Sequence, residues 1–491
     1  MDRNVAVIGS GIGGLSAALD LQTKGFQVDL YEKNAFTGGK AGCEKGGGFT
    51  FDTGPSLLTM PFVFEDLLKK AGIEARDVMP VRKLDIICKY FFSDGTVLNA
   101  FSDQERIIEE FREKTSDSPE DIRRFFNYCR RMYEDAKDLF LFNSLEDIPE
   151  FFRENPLKGI AIISGLDIFR TLHGSHRRFF KDSNTVQLFD RYATYSGSDP
   201  YLIPATLNII PHVEYGIGAY VPEKGIRAIP RVLAETATAK GVRIFTGQKV
   251  DSVIVGNKDI RGIRSCGREV PYSKVVSNAD VSYTYKYLLD DRVTKMARRY
   301  DKLEPSSSAI VFYWGIKGIF SELEINNIFF SSDYRKEFRE IFLERSCPEE
   351  PTVYVNITSK YCPEDAPEGH ENWFVLVNVP YDTGQDWERE ALRIKARVLD
   401  ILERRLKKDI TGNIIYERIM TPCDIYEKTL SNKGSIYGIS SNSKFAAFFR
   451  QPNRSVDYKG LYFAGGSAHP GGGMPLVALS GMIASELIAR N

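Results

Sequence analysis

The segment at residues 4–34, NVAVIGSGIGGLSAALDLQTKGFQVDLYEKN, constrains the fold more than any other part of the chain. It begins with a short apolar run and continues through a glycine-rich turn, a helix-like stretch and a second apolar run that ends before Glu32. This order of strand, turn, helix and strand predicts a βαβ unit with a dinucleotide site. The turn carries the pattern G-x-G-x-x-G, with one further glycine inside it: Gly9, Gly11, Gly13 and Gly14.

Each part of the pattern has a physical role in such a site. Gly9 permits the tight turn, Gly11 lets the backbone approach a pyrophosphate, and Gly14 lets the helix pack close to the sheet. The phosphates then meet unpaired N–H groups at the helix N-terminus. Glu32 is placed to accept hydrogen bonds from a ribose diol. The alternative interpretation is a glycine-rich turn in an ordinary βαβ unit.

Two other interpretations of this segment fail. A signal peptide needs a basic start and an apolar run, yet Asp2 and Arg3 cancel in charge and glycines interrupt the run. A transmembrane helix needs about 20 predominantly apolar residues, whereas Asp20 and Lys24 come too early. We therefore expect the segment to bind a nucleotide.

Composition excludes several other classes of function. The net charge of −1 argues against nucleic acid as a main partner. The 7 cysteines form no C-x-x-C pair and the 5 histidines do not cluster, so we expect neither a metal site nor a disulfide framework. A reduced, cytosolic setting follows as the default. At 491 residues the chain exceeds one typical core, which predicts interleaved domains.

A second signal lies near the other end, in GLYFAGGSAHPGGGMPLVALSGMIASELIAR. It predicts a strand, a glycine turn and a helix over residues 475–489, whose N-terminus would also face a cofactor. We predict a nucleotide-binding domain from residues 1–75, 225–290 and 456–491. A substrate and membrane-contact domain would comprise residues 76–224 and 291–455.

Taken together, these stretches resemble the bacterial carotenoid desaturase family, which includes phytoene desaturases and hydroxycarotenoid 3,4-desaturases. The C-terminal YFAGGSAHPGGGMP is more specific to this family than the glycine fingerprint, which many flavoproteins share. The matching positions span nearly the whole chain: residues 9–14, Glu32, 38–40, 51–56, 188–207, 449–455 and 461–475.

The resemblance implies an α/β fold with a Rossmann-type FAD-binding domain, like that of p-hydroxybenzoate hydroxylase and the amine oxidases, and an interleaved α+β substrate domain. By match, the ADP and pyrophosphate of FAD would be held by Gly9, Gly11, Gly13, Gly14, Glu32, Gly39 and Lys40, with Val250 at the adenine. The residues along the ribityl chain and the flavin would be Gly54, Pro55, Ser56, Gly466, Gly473, Met474 and Pro475. The alternative for Lys40 is a solvent-exposed position on the surface, without contact with the pyrophosphate. One departure is that no acid follows the glycines in Gly465-Gly466-Ser467, so backbone N–H groups would have to substitute.

The implied reaction is dehydrogenation of a long polyene, with hydride passing to flavin N5 and loss of a proton from the allylic cation left behind. Because that cation loses a proton readily, a strong base is not required. The candidate catalytic residues are Arg191, Tyr195 and His469. Arg191 and Tyr195 would line the flavin end of a tunnel, or merely pair with Asp190 and Asp199. His469 would act as a base, or only pack its turn.

A carotenoid substrate places the enzyme at a membrane. A forty-carbon chain represents roughly 30 kcal/mol against water, at ~0.8 kcal/mol per methylene. We therefore expect a cytoplasmic protein, peripheral on the inner face of the cell membrane, with a quinone or oxygen as electron acceptor. Residues 151–180 are the candidate contact, with Phe151 and Phe152 among the apolar side chains and Arg177 and Arg178 among the cations. An internal helix pair is the alternative.

Competing functions use the same nucleotide half. An amine oxidase needs a polar anchor for its substrate, and none is obvious in the sequence. A non-enzymatic prenyl-lipid escort need not retain flavin, whereas the intact fingerprint favours retention. Carotenoid oxidases and saturases share the motifs. The sequence leaves open the carotenoid, the number of double bonds formed, the electron acceptor and the oligomeric state.

Overall fold

The computed structural model describes residues 3–291, 293–442 and 450–490. Within these ranges, a parallel five-stranded sheet brings together distant parts of the sequence. The central strands Asn4–Ile8 and Lys274–Ser277 carry runs of Val and Ile, as expected for strands covered on both faces. The fold class predicted from the sequence is confirmed. The strands, in spatial order, are Arg243–Phe245, Gln27–Tyr31, Asn4–Ile8, Lys274–Ser277 and Leu461–Phe463.

Two buried helices cover this sheet near its centre. The Ile12 helix (Ile12–Thr23) connects the first two strands, and the Met474 helix (Met474–Ala489) packs directly against it. Both are apolar on most of their surface and rich in Gly, Ala and Ser, so their backbones lie close together. The helix Ala228–Ala239 packs on the same face. The N-termini of the first two helices therefore lie near each other at the carboxyl edge of the sheet.

A seven-stranded sheet forms the second part of the described chain. All its neighbouring strands are antiparallel except Asn326–Phe329 and Ile86–Phe91. One face packs against the long helix Trp387–Leu406, and the other carries Val311 and Phe374 toward a large cavity. The strands, in order, are Ile414–Met420, Ser308–Lys317, His370–Val379, Val353–Ile357, Asn326–Phe329, Ile86–Phe91 and Val97–Phe101.

A layer of helices packs against the strands Ile86–Phe91 and Val97–Phe101 of the seven-stranded sheet. The helix Pro119–Ala136 is capped by Ser118, whose hydroxyl accepts a hydrogen bond from the Asp121 N–H at 3.2 Å. The rest of the layer consists of Gln104–Lys114, Ile148–Glu154, Pro156–Gly165, Leu172–Phe179 and Ser183–Asp190.

The remaining elements are short. They are the strands Cys43–Gly46, Phe49–Asp52, Leu58–Thr59, Val81–Lys83, Ala219–Pro222, Val250–Gly256, Asp259–Ser265 and Arg268–Pro271, and the helices Phe62–Lys70, Ala75–Val78, Ile209–Pro211, Val281–Tyr283, Lys295–Lys302, Tyr334–Arg339 and Pro422–Thr429. The parallel sheet draws its strands from the segments assigned to the nucleotide-binding domain, and the seven-stranded sheet draws on the other segments. The exact domain boundaries stay a prediction. In the described ranges, no helix is both long enough and apolar enough to cross a bilayer.

The predicted membrane segment forms three short helices rather than one pair. Phe151 and Phe152 are half-buried and pack on a small core that includes Ile162 and Leu166. They are therefore not exposed side chains, and their contact with a membrane stays a prediction. The exposed apolar side chains of the segment are Leu157, Ile160, Ile163 and Phe169.

Candidate functional site

A cavity of about 550 Å³ runs between the parallel sheet and the seven-stranded sheet. One end is lined by the glycine turn after the first strand and by Glu32. The other end is lined by apolar side chains of the seven-stranded sheet and its neighbours. These include Ile87, Ile328, Phe374, Leu376, Met420 and Ile436. The cavity thus joins a polar cradle made largely of backbone to an apolar chamber made of side chains.

Two helix N-termini open on the cradle. The Ile12 helix begins after Gly11 and the Met474 helix after Gly473, and neither has a side-chain cap or an acidic residue in its first turn. Gly11, Gly473 and Met474 all line the cavity. Uncapped N–H groups at helix N-termini are a binding site for anionic groups such as phosphate. The residues present therefore fit a dinucleotide.

The glycine turn is shaped as the motif requires. A Cβ on Gly14 would lie 2.0 Å from the Gly9 carbonyl oxygen, so only glycine allows the helix to start this close to the strand. Glu32 follows the second strand and is 5% exposed. Its Oε2 accepts from the N–H and the hydroxyl of Ser10, both at 2.8 Å, and its Oε1 accepts from the Asn34 N–H at 2.8 Å. Glu32 thus braces the turn as well as lining the cavity.

Lys40 lies in the cavity wall rather than on the surface. Its ammonium donates to the carbonyl oxygens of Ser435, at 3.3 Å, and Ile436. Burial lowers the pKa of Lys40 to about 8, and the nearby carboxylate of Asp280 opposes that shift. These hydrogen bonds hold the lysine beside the cradle, where its charge can meet a pyrophosphate.

Asp280 is a cavity residue that sequence reasoning missed. It follows the strand Lys274–Ser277, at the carboxyl edge where ligands bind in such sheets. Its carboxylate accepts from the Ser282 N–H at 2.8 Å, and burial raises its pKa. The adjacent Val281 N–H donates to the Ser467 hydroxyl at 3.1 Å. An acid from the neighbouring strand thus lies beside the turn Gly465-Gly466-Ser467, which carries none itself.

The predicted cofactor residues divide into those that line the cavity and those that lie behind its wall. Gly13 and Gly14 lie in the first turn of the Ile12 helix, behind the cavity wall. The Ser56 hydroxyl is hydrogen-bonded to the Tyr354 hydroxyl of the seven-stranded sheet. The predicted cofactor residues that line the cavity are Gly9, Gly11, Glu32, Gly39, Lys40, Gly54, Pro55, Ser56, Val250, Gly466, Gly473, Met474 and Pro475. Their individual contacts with a cofactor stay predictions.

Arg191 and Tyr195 both line the apolar chamber. They bond to Glu214 and not to Asp190 or Asp199. Arg191 Nη2 donates to Glu214 Oε1 at 3.0 Å, and the Tyr195 hydroxyl donates to Glu214 Oε2 at 2.7 Å. Glu214, from the segment after residue 211, carried no sequence signal because the fold alone brings it to this wall. The catalytic roles assigned to Arg191 and Tyr195 stay predictions.

His469 takes a different position from these two residues. It is 4% exposed and is not among the residues that line the cavity. Its Nε2 lies 2.9 Å from the carbonyl oxygen of Asn143, and burial lowers its pKa to about 4. The geometry favours the interpretation in which His469 packs its turn.

The motif at residues 449–455 braces the same glycine turn. Arg450 Nη1 donates to the Gly466 carbonyl at 2.7 Å, and Asn453 Nδ2 donates to the carbonyl oxygens of Phe463 at 3.1 Å and His469 at 2.9 Å. Its first residue, Phe449, lies outside the described residues. Arg450 and Asn453 therefore hold the backbone of the glycine turn beside the cofactor cradle.

Comparisons with known proteins agree with this geometry. The model of the flavin-containing amine oxidoreductase family matches residues 12–489. A 1-hydroxycarotenoid 3,4-desaturase from Flavobacterium sp. (strain P99-3) is 40% identical over 486 residues, 99% of each chain. A 4,4'-diaponeurosporene oxygenase from Staphylococcus haemolyticus (strain JCSC1435) is 34% identical over 488 residues, 99% of this chain and 97% of the relative.

Solved structures support the fold. Cyclohexylamine oxidase from Brevibacterium oxydans IH-35A superposes with a TM-score of 0.62 at 15% identity, covering 100% of this chain and 99% of that one. This likeness concerns architecture alone. Family match, relatives and cradle point the same way, and the predicted cofactor is confirmed. The chain belongs to the carotenoid desaturase family, within the flavin-containing amine oxidoreductases, and is an FAD-dependent oxidoreductase.

Proposed function

We propose that this protein is a carotenoid desaturase, which converts a C–C bond of a membrane-dissolved polyene into a C=C bond. The observation that carries the proposal is the continuity of the cavity from the nucleotide cradle into an apolar chamber lined by Phe374, Leu376 and Ile328. Such a chamber suits a hydrocarbon chain. The relative that is 40% identical is named as a desaturase of a hydroxylated carotenoid.

When bound, FAD accepts the hydride removed from the substrate. The chain's own tasks are to hold the cofactor, align the polyene and exclude water. The cradle formed by the two helix N-termini serves the first task, and the chamber serves the other two. The proton leaves an allylic cation that gives it up readily, so no strong base is required. This is consistent with His469 lying outside the cavity. A quinone or oxygen would reoxidise the cofactor.

We place the protein on the inner face of the cell membrane, because its substrate cannot desorb into water. The helix Pro156–Gly165 exposes Leu157 (82%) and Ile160 (65%), and Phe169 just beyond it is 81% exposed. Lys158, Arg177 and Arg178 are exposed on the same segment. Apolar side chains flanked by cations are the pattern of a surface that docks on anionic lipid. We call Leu157, Ile160 and Phe169 the apolar patch.

The experiment is conversion of carotenoid in liposomes by the FAD-loaded protein without oxygen, with a quinone as acceptor. A desaturase forms a product that has lost two hydrogens and absorbs at longer wavelength. The competing function is oxygenation, favoured by the diaponeurosporene oxygenase relative at 34% identity. An oxygenase would form no product without oxygen, and with labelled oxygen its product would carry the label. That result would overturn the proposal.

A further inference from the structure

A buried polar cluster lies in the wall of the otherwise apolar chamber. Its centre is the ion pair of Arg191 and Glu214, which are 6% and 0% exposed, and Tyr195 and Tyr192 donate to the same carboxylate. Arg191, Tyr195 and Glu214 line the cavity. The guanidinium also lies over three tyrosine rings, 4.3 Å from the centroid of Tyr192 at the closest. Burying such a pair is costly, so its position at a substrate wall needs a reason.

The cluster keeps unused hydrogen-bonding capacity of both kinds. Arg191 Nε is buried without a hydrogen-bond partner in the described part of the chain. Glu214 Oε1 accepts two hydrogen bonds and Oε2 accepts one, at 2.7 Å from Tyr195. A carboxylate has about four acceptor positions, so Oε2 retains one. A donor and an acceptor are thus both available in one cluster.

The net charge of the cluster and its free hydrogen-bonding positions together determine which chemical group fits. The cation and the anion neutralise each other, so neither a carboxylate nor an ammonium would gain a net opposite charge. A carbonyl accepts but cannot donate to Glu214. A hydroxyl does both, because its O–H donates and its lone pairs accept. A plain hydrocarbon end would leave the cluster's capacity unused in an apolar chamber.

We propose that Arg191 and Glu214 form a recognition site for a hydroxyl group at one end of the polyene substrate. The inference rests on the proposed function and narrows the substrate class from carotenoids in general to hydroxylated ones. Glu214 acts here as a specificity-determining residue, with Arg191 as the donor. The site aligns the chain in the cavity by its polar end, whereas the apolar wall alone would let the chain slide.

The test compares two acyclic carotenoids with the same conjugated chain, one with a tertiary hydroxyl at one end and one with hydrogen in its place. The FAD-loaded protein should prefer the hydroxylated compound by at least about tenfold in kcat/KM, since sites built for a hydroxyl discriminate strongly. The corresponding desaturated products should show the same order of binding, read from the shift in carotenoid absorbance without turnover.

In Glu214→Gln, the ratio of the two kcat/KM values and the ratio of the two binding affinities should both fall close to one. The matched control is Glu371→Gln, a buried glutamate paired with Lys360 at 2.9 Å that does not line the cavity, which should keep the preference. If Glu214→Gln does not load FAD, the charge-neutral Arg191→Leu/Glu214→Leu variant replaces it. Equal turnover of both compounds by the wild-type protein, or a preference that survives Glu214→Gln, would overturn the inference. Turnover of neither would instead count against the proposed function.

Discussion

The two ends of the cavity are built in opposite ways. The nucleotide end is formed mostly by backbone: uncapped helix N-termini, glycine turns and the carboxyl edge of a parallel sheet. The substrate end is formed by side chains from the seven-stranded sheet and from the helical segments Arg191–Ser196 and His212–Ile217, with Arg191 and Glu214 as a charged pair among apolar neighbours. Backbone geometry tolerates few changes in sequence, whereas a wall of side chains can be altered residue by residue.

This difference teaches where function is fixed and where it varies. The first end is built from uncapped N–H groups that suit the pyrophosphate of FAD. Under the proposed function, the second end would decide which polyene enters and how it is aligned. Changes at one end should leave ligand binding at the other end unaltered. The following variants test that separation.

The largest effect is expected for Gly11→Val. Its Cβ would lie 2.8 Å from the side-chain amide nitrogen of Asn278, at the point where we expect the backbone to approach the pyrophosphate. We expect FAD binding to be lost, as measured by flavin absorbance after gel filtration. The control is Gly256→Val, whose Cβ would meet only the flexible Arg261 side chain at 3.3 Å. Retention of FAD at wild-type affinity by Gly11→Val would show that this loop does not bind the cofactor.

The next effect concerns the apolar patch. Replacing Leu157, Ile160 and Phe169 by serine should lower binding to anionic liposomes on the order of a hundredfold, as exposed apolar area is no longer transferred from water. FAD content should stay normal, and conversion of detergent-dispersed carotenoid should fall less than conversion in liposomes.

The control for the patch is an equal loss of exposed apolar side chains elsewhere. Ile319, Leu343 and Leu392 are 59%, 76% and 64% exposed, and their replacement by serine should leave lipid binding intact. Equal behaviour of the two triple variants would move the membrane contact to another surface.

A smaller effect is expected for Glu32→Ala. FAD affinity should fall by ~1–3 kcal/mol, the range for buried groups left without partners. The N–H groups of Ser10 and Asn34 also lose their acceptor, so unfolding of the apoprotein should begin at a lower temperature. Titration with FAD measures the first effect and calorimetry the second. Unchanged FAD affinity would place the ribose contacts elsewhere.

The smallest effect on catalysis is expected for His469→Gln, whose amide can still donate to the Asn143 carbonyl. At neutral pH kcat should change by no more than about twofold, or ~0.5 kcal/mol. Because burial lowers the His469 pKa to about 4 from 6.5, protonation favours the unfolded state. The wild-type protein should lose stability between pH 6.5 and 4, and the variant should lack this part of the loss. A loss of kcat by orders of magnitude would restore His469 as a catalytic base.

The same contrast explains what the sequence could predict. The cradle depends on contiguous motifs with local geometry, so Gly9–Gly14, Glu32 and the Met474 helix could be recognised directly. Asp280 follows the strand Lys274–Ser277 and could have been found by asking which acids lie at the carboxyl edge of the sheet. Glu214 could not, because only tertiary packing brings it to Arg191. Periodicity likewise could not tell that Phe151 is half-buried while Leu157 is exposed.

The pairing of the Ile12 helix with the Met474 helix also has a consequence for how the enzyme is made. Roughly 450 residues separate these two elements. At a ribosomal rate of ~5–20 residues per second, the early helix waits tens of seconds for its partner. Meanwhile its apolar face is uncovered and half of the phosphate cradle does not exist. We therefore expect the chain to load its cofactor only after synthesis is complete, so that FAD cannot protect the nascent chain from aggregation.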